Sequence, residues 1–305
     1  MSDHIFNIVK WVFIAAFCVY LWASFIGTDF NLYILYQAFQ PVTVLDANGN
    51  PEYDDSGKPL TNPPRFMAVM ADITSPDLSW HETDSDGKVR IDKKTGNPKL
   101  GTLPTLLVSM NETVQISLVG TLLSVLFSFP LAFLAARNLT RGTKAGLFVY
   151  GATRFVFNVL RAFPPVILAL LFVFMVGPGP FPGVLALGLH SIGMLGKLFS
   201  ETIEASDPAP LEAVKATGAS NFMVVWYGLL PQVVPQFLAF SLYRWDINIR
   251  MSIILGIVGA GGIGFLIEQY IRMFQFSKAS TCFLIILVAV TLLDWASAYF
   301  RERLG

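Results

Sequence analysis

The hydrophobic positions of this chain fall into long, nearly unbroken runs rather than alternating along strands. Residues 8–27 carry one charge, Lys10, and are long enough to cross about 30 Å of hydrocarbon at about 1.5 Å per residue. From residue 113 almost every stretch is membrane-compatible, in runs at 113–136, 164–176, 183–199, 235–258 and 279–300. Together these predict an all-α polytopic membrane protein of about six transmembrane helices. The first run has the outline of a secretory signal. Trp11, Phe17, Tyr20, Trp22 and Phe25 make it bulkier than a secretory core, and no small-x-small cleavage site follows, so it is read as an uncleaved span.

Residues 29–112 break the apolar pattern. They are turn-rich and hold 12 Asp or Glu against 7 Lys or Arg. Two stretches inside resemble one another, 46–60 (DANGNPEYDDSGKPL) and 84–100 (DSDGKVRIDKKTGNPKL). Each has an Asp-rich turn, a short β-like run and a closing Gly-Lys-Pro or Gly-Asn-Pro, which predicts two small hairpins. Asp46, Asn48, Asn50 and Glu52 have the spacing of a calcium loop, but Pro51 intrudes and the full 12-position pattern is missing, so solvated turns are expected. The organisation predicted is an N-terminal span (1–28), an extracytoplasmic segment with hairpin insertions (29–112) and a membrane core (113–305) with a cytoplasmic loop at 205–234.

Composition agrees with a membrane setting: 54% of residues are hydrophobic, 14% are charged, and mean hydropathy is +0.58. Basic and acidic residues cancel, so no global field argues for nucleic acid. Cys18 and Cys282 both sit in apolar runs and read as small hydrophobes, with neither a disulfide nor a metal site expected. The cationic connection 137–144 (RNLTRGTK) and the tail 301–304 (RERL) place both on the cytoplasmic side, which puts both termini and the 205–234 loop inside. Between residues 144 and 164, Gly151, Arg154, Asn158 and Arg161 recur at spacings of 3 and 4, opposite Phe148, Phe155, Val156, Val159 and Leu160. This predicts an amphipathic helix, either interfacial with snorkelling arginines or lining a wet cavity.

Two motifs are decoys. Residues 259–264 (GAGGIG) match G-x-G-x-x-G, but they sit among spans, without a βαβ unit or an acidic residue about 20 positions on to hold a ribose. Backbone flexibility or close helix contact is the expected use of these glycines. Gly193, Gly196 and Lys197 imitate a phosphate loop with the wrong spacing, so no ATP site is expected in this chain. His4, His81 and His190 lie in unrelated segments and form no catalytic set.

Charges within apolar runs are costly unless they face a cavity or a partner. His190, Lys197, Glu201 and Glu204 form one stripe at spacings of 7, 4 and 3 and should face the bundle. Arg244, Asp246 and Arg250 share the next run; Asp246 and Arg250 are spaced for an i, i+4 ion pair. They either neutralise one another or offer Arg250 to an anion, and Asp294 is expected to pair within the bundle or to sit near its surface.

The loop itself reads Leu211-Glu212-Ala213-Val214-Lys215-Ala216-Thr217-Gly218, with Gly228-Leu229-Leu230-Pro231 ten residues on. It resembles the E-A-A-x3-G-x9-I-x-L-P signature of permease subunits of bacterial ABC importers. Glu212, Ala213, Gly218, Leu230 and Pro231 match, while Val214 and Gly228 depart from it. Residues 112–139, 161–164 (RAFP), 201–218 and 248–264 (NIRMSIILGIVGAGGIG) look like the phosphonate and phosphite branch of that family. The similarity covers most of residues 66–305, with the insertions at 43–62 and 81–101 as departures.

The resemblance implies the type I importer fold in a bacterial cytoplasmic membrane. It also implies a second permease copy as a homodimer, two cytoplasmic ATPase subunits that hold the ATP and magnesium, and an extracytoplasmic substrate-binding protein. The permease itself would bind no cofactor. Cargo would pass by alternating access, with Arg161, Arg250, Ser252, Gly259 and Gly261 as the candidate pathway for an oxyanion, and His190, Lys197, Arg244 and Asp246 as the intramembrane polar stripe. Other readings stay open: a methionine-type cargo, an ion-coupled transporter, or a membrane sensor. The 30-residue loop favours an ATPase-coupled machine over the last two.

Overall fold

The computed structural model describes residues 40–43, 61, 62, 65–83, 88–91, 98–140 and 142–304. The first predicted span and the 46–60 stretch lie outside them. The chain divides into two units, residues 1–72 and 73–305. In the first, β1 (Val42–Thr43) pairs antiparallel with β2 (Thr61–Asn62) in the register Val42 to Asn62 and Thr43 to Thr61. Helix α1 (Arg65–Thr74) follows.

The second unit is helical. In order come α2 (Thr102–Leu134), α3 (Arg137–Thr140), α4 (Lys144–Ala162), α5 (Pro165–Val176), α6 (Pro180–Glu204), α7 (Pro208–Ala216) and α8 (Asn221–Met223). A π-helical turn (Val224–Leu229) leads into α9 (Leu230–Ile257), then α10 (Gly262–Arg272) and α11 (Phe276–Leu304). Among the described residues four helical stretches are long and apolar enough to cross a membrane: α2, α6, Asn221–Arg272 and Phe276–Ala298. Their outward faces carry Leu122, Leu126 and Phe127 on α2 and Leu287, Val288 and Trp295 on α11, all exposed, as lipid-facing positions should be.

The run at 164–176 is not a complete span. The 12 residues of α5 reach only about 18 Å at 1.5 Å per residue. The chain bends by 85° between α4 and α5, where Pro164 cannot continue α4, so the pair forms one broken or re-entrant span. The α4 helix is amphipathic, but in the sense opposite to an interfacial helix. Its apolar Phe148 and Phe155 are exposed, while Thr153 and Phe157 are buried against the bundle and Arg154 reaches Glu204 at 2.9 Å. It packs on the bundle through Thr153, Arg154 and Phe157, while Gly151 and Asn158 of the predicted polar face stay exposed. Gly193 and Gly196 explain the closeness: a Cβ at Gly196 would stand 2.3 Å from the Phe157 ring, so only glycine admits α4 there.

Helices α2 and α6 form the central pair. Gly120 meets Leu187 and Gly188, and a Cβ on it would come 3.0 Å from the Leu187 Cβ. At one end Phe199, Ile203, Leu229, Val233 and Phe237 close the core, with Phe199 and Phe237 stacked at 4.1 Å. At the other, Leu106, Met110, Ile263, Ile267 and Cys282 join α2, α10 and α11. Helix α2 starts at Thr102, ahead of the apolar run at 113, because Leu106 and Met110 already pack into that cluster and Pro104 is buried beside them in sequence.

In the stretch before α2 the described residues pair antiparallel at Thr83 to Val89, Ile91 to Pro98 and His81 to Leu100. Glu82 N donates to Lys99 O at 3.1 Å, Lys99 N to Arg90 O at 2.8 Å, and Arg90 N to Glu82 O at 2.8 Å. Three short extended pieces thus close a ring, and among the described residues they form only isolated bridges, not a ladder. Glu82 sits in the ring and pairs with Lys99 at 2.9 Å and Arg90 at 3.8 Å. The Lys99 hydrogen bond leads in holding its carboxyl below the usual range.

Candidate functional site

The segment between α6 and α9 is built to present a surface. Asp207 caps α7 by accepting from Ala209 N at 3.0 Å, and Pro208 occupies the first helical turn, where a missing N–H costs nothing. Gln232 ties the two ends together, donating to Gly228 O at 2.7 Å and accepting from Asp207 N at 3.1 Å. The turn after α7 needs Gly218, whose φ is +78°. Leu211 packs inward onto the Phe199 cluster, leaving Glu212 and Ala213 exposed on the same helix. At Gly228 a Cβ would lie 3.2 Å from the Leu211 Cα, so the glycine that departs from the loop signature lets α7 lie close against the π turn. Leu230 is half-buried and Pro231 exposed at the start of α9. Phe222 (72% exposed) and Trp226 (53% exposed) stack at 5.9 Å on the outer surface, an apolar pair that a protein partner can cover.

Inside the bundle, polar side chains from three helices converge. Arg244, only 6% exposed, donates from Nε to Ser191 Oγ at 2.9 Å. Asn248 Nδ2 lies 3.1 Å from the same oxygen and donates to Thr121 Oγ1 at 2.8 Å; Thr121 in turn donates to Ser117 O at 2.7 Å. Among the described residues Arg244 has no carboxylate partner, so its charge rests on hydroxyl dipoles alone. Further along α9, Arg250 binds both Asp246 oxygens at 3.1 and 3.2 Å and Asp294 at 2.7 Å. Both charge expectations are met at once: the i, i+4 pair forms, and Asp294 on α11 joins it. The Arg250 and Asp294 side chains stay 46% and 42% exposed, so this cluster opens to the edge of the protomer while Asp246 is covered.

The other expected positions are scattered. Arg161 donates to the Met194 sulfur at 3.1 Å. His190 Nδ1 lies 3.1 Å from Phe163 O, Lys197 pairs with Glu201 at 3.6 Å, and Glu204 leaves the stripe to bind Arg154 and accept from Arg137 N. Ser252 donates to Thr113 O at 3.1 Å. The glycine break has its own occupant: Gly262 N donates to Glu112 Oε2 at 3.2 Å and Ile263 N to Thr113 Oγ1 at 2.8 Å. The amides expected to face an anion near Gly259 and Gly261 are therefore flanked by the chain's own carboxylate at the start of α10. Gly259 O accepts from Gly179 N at 2.9 Å, pinning the break to the α5–α6 turn. Asn248 had a sequence signal as an amide inside an apolar run; Ser191 and Thr121 had none, since isolated hydroxyls are common in spans.

Residues 128–305 match the family described as binding-protein-dependent transport system inner membrane component. The phosphite transport system permease protein PtxC of Stutzerimonas stutzeri is 46% identical over 192 residues, covering 63% of this chain and 68% of that protein. The phosphate-import permease protein PhnE of Mycolicibacterium smegmatis is 41% identical over 220 residues, covering 72% of this chain and 41% of that one. Among solved structures, an inward-facing MetNI methionine ABC transporter aligns with TM-score 0.58 at 19% identity, covering 66% of this chain and 96% of that chain, which is a likeness of fold. With the helical core, the broken spans and the matched stretch in register, the chain belongs to the family of binding-protein-dependent transport system inner membrane components.

Proposed function

We propose that this chain is the permease of an ATP-driven importer for phosphite, phosphonate or a related phosphorus oxyanion. The observation that carries the cargo class is the 46% identity to a phosphite permease over 192 residues, 63% of this chain. The physical arrangement supports the coupling part. The 205–234 segment projects Glu212, Ala213, Phe222 and Trp226 from one end of the bundle, backed by the rigid Phe199 cluster, so a push on it moves α6 and α9 together. In this reading the segment is cytoplasmic and docks on an ATPase subunit that holds ATP and magnesium, both termini are cytoplasmic, and two permease copies face each other.

Cargo passes as the bundle switches between two packings, each stabilised by a different partner. Arg244 supplies an incompletely compensated charge in the core, and Arg250 an exchangeable one: an oxyanion competes with Asp246 and Asp294 for the guanidinium. Such weak, multi-centre contacts suit a pathway that has to release its load, with selectivity left to the binding protein. Arg161 and Arg244 both act on His190, so Arg161 adds to the positive character on the Arg244 side.

The test is uptake by the reconstituted permease, ATPase and binding protein. Glu212→Arg is expected to cut phosphite-stimulated ATP hydrolysis and uptake by about tenfold or more, since it reverses a charge at a docking surface. Membrane insertion should stay normal. Undiminished coupled uptake by correctly inserted mutant would remove the docking assignment. Cargo is read separately, from which of phosphite, methylphosphonate and methionine stimulates the wild-type complex.

A further inference from the structure

The end of the bundle opposite the 205–234 segment holds a polar cleft of about 450 Å³ between the ring at 81–101 and the α10–α11 corner. Asp77, His81, Glu82, Lys99, Tyr270 and Lys278 supply its chemistry. Its carboxylates are already engaged. Asp77 accepts from Thr102 Oγ1 at 2.6 Å and from Ser79 N at 3.0 Å, and Glu82 is held by Lys99 and Arg90. The donors are not. Lys278 Nζ stands 5.8 Å from the Tyr270 ring centroid, and among the described residues it makes no ion pair or hydrogen bond. The Tyr270 hydroxyl has no hydrogen-bond partner among the described residues either. His81 Nδ1 is buried without a partner, a costly state that a rotation about the soft χ2 torsion ends once an acceptor occupies the cleft. Among the described residues Lys99 and Lys278 line the cleft with Asp77 and Glu82, and Arg90 stands behind Glu82.

We propose that this cleft binds a small tetrahedral oxyanion of the phosphate or phosphite kind, with Lys278 as its charge partner and the Tyr270 hydroxyl and His81 imidazole as donors. A compact ammonium over an aromatic ring, flanked by neutral donors and acting on Asp77 and Glu82 only through space, without a close ion pair to either, is suited to a small anion that arrives and leaves. The site lies far along the bundle from Arg244 and Arg250, and half of its wall comes from the insertion that sets this chain apart in sequence. It thus adds a second anion position that the coupling loop does not touch. The inference stands on the cleft; the importer reading supplies only the choice of probe.

The test uses the full chain in lipid nanodiscs without ATP, titrated with inorganic phosphate and with phosphite by calorimetry, with acetate as a planar comparator. Saturable binding of phosphate or phosphite is expected, weakened about tenfold by Lys278→Gln, the loss of one charge-assisted hydrogen bond. Tyr270→Phe should weaken it a few-fold while keeping the packing volume, and so reads the site even where Lys278→Gln lowers stability. Three outcomes overturn the proposal: no saturable binding, binding unchanged in both variants, or acetate binding as tightly as phosphate, which gives the cleft to a carboxylate. Because transport is not read here, failure of this site leaves the uptake test above standing, and failed uptake leaves this one standing.

Discussion

Asn248 shows how much a single side chain decides in this bundle. It lies in an apolar run, yet its amide joins α9 to both α2 and α6 through Thr121 and Ser191. Interhelical hydrogen bonds in membranes are worth about 0.6 kcal/mol each on average, and an orphaned buried donor adds to that loss. Asn248→Leu is therefore expected to destabilise the purified chain by about 1–3 kcal/mol, since it also leaves Ser191 serving Arg244 alone. Thermal unfolding in detergent checks this, and a variant as stable as wild type would show that the amide bonds contribute nothing net. The polar character of Asn248 was legible in the sequence; its partners were not, because they lie 57 and 127 residues away. Spacing foretold the Asp246–Arg250 pair, whereas the pairing of Asp294 needed α11 to pack on α9.

At the scale of elements, the glycine break between α9 and α10 is the most constrained joint. Gly259, Gly261 and Gly262 all have positive φ, at +94°, +78° and +71°. A Cβ on Gly262 would stand 2.4 Å from Thr113 Oγ1, the atom that accepts from Ile263 N. Gly262→Ala should cost about 1–3 kcal/mol through left-handed backbone strain and overpacking, and should loosen the α10 N-terminus. A lower unfolding temperature with faster proteolysis at the break is the expected result; wild-type behaviour in both would mean the joint is slack. Sequence alone placed flexibility or close contact at these glycines, and the close contact is what the structure has. It could not reveal that Glu112 and Thr113 occupy the amides, because that requires α2 to run alongside.

The whole bundle is closed by Asp77, which links the first described span to the last. Its side chain accepts from Thr102 at the start of α2, its N–H donates to Ser277 O at 3.3 Å, and its carbonyl accepts from Thr281 on α11 at 3.1 Å. Burial pushes the Asp77 carboxyl up, but the hydrogen bonds from Thr102 and Ser79 together outweigh it and hold the group below its ordinary value. The sign follows: the ionised carboxylate is favoured in the folded state, so its contribution is full at neutral pH and is lost as pH falls below about 4. The full chain in detergent should lose thermal stability on acidification through that range, with a smaller loss in Asp77→Asn. Equal acid sensitivity of the two would place the effect on other carboxylates.

Membrane class, the apolar runs of α2, α6, α9 and α11 and the family were readable in the linear chain, because hydrophobic run length and a contiguous motif are local properties. The orientation of α4, the break between α4 and α5, the ring at 81–101, the Arg244–Ser191–Asn248–Thr121 track and the carboxylate at the α10 N-terminus were decided by packing. Each depends on which face one helix turns to another, and that is set by glycines such as Gly196 and Gly120 whose role exists only when a second helix lies against them. A polar group in a span must find a partner, and sequence announces the need; only the folded bundle brings the partner within 3 Å.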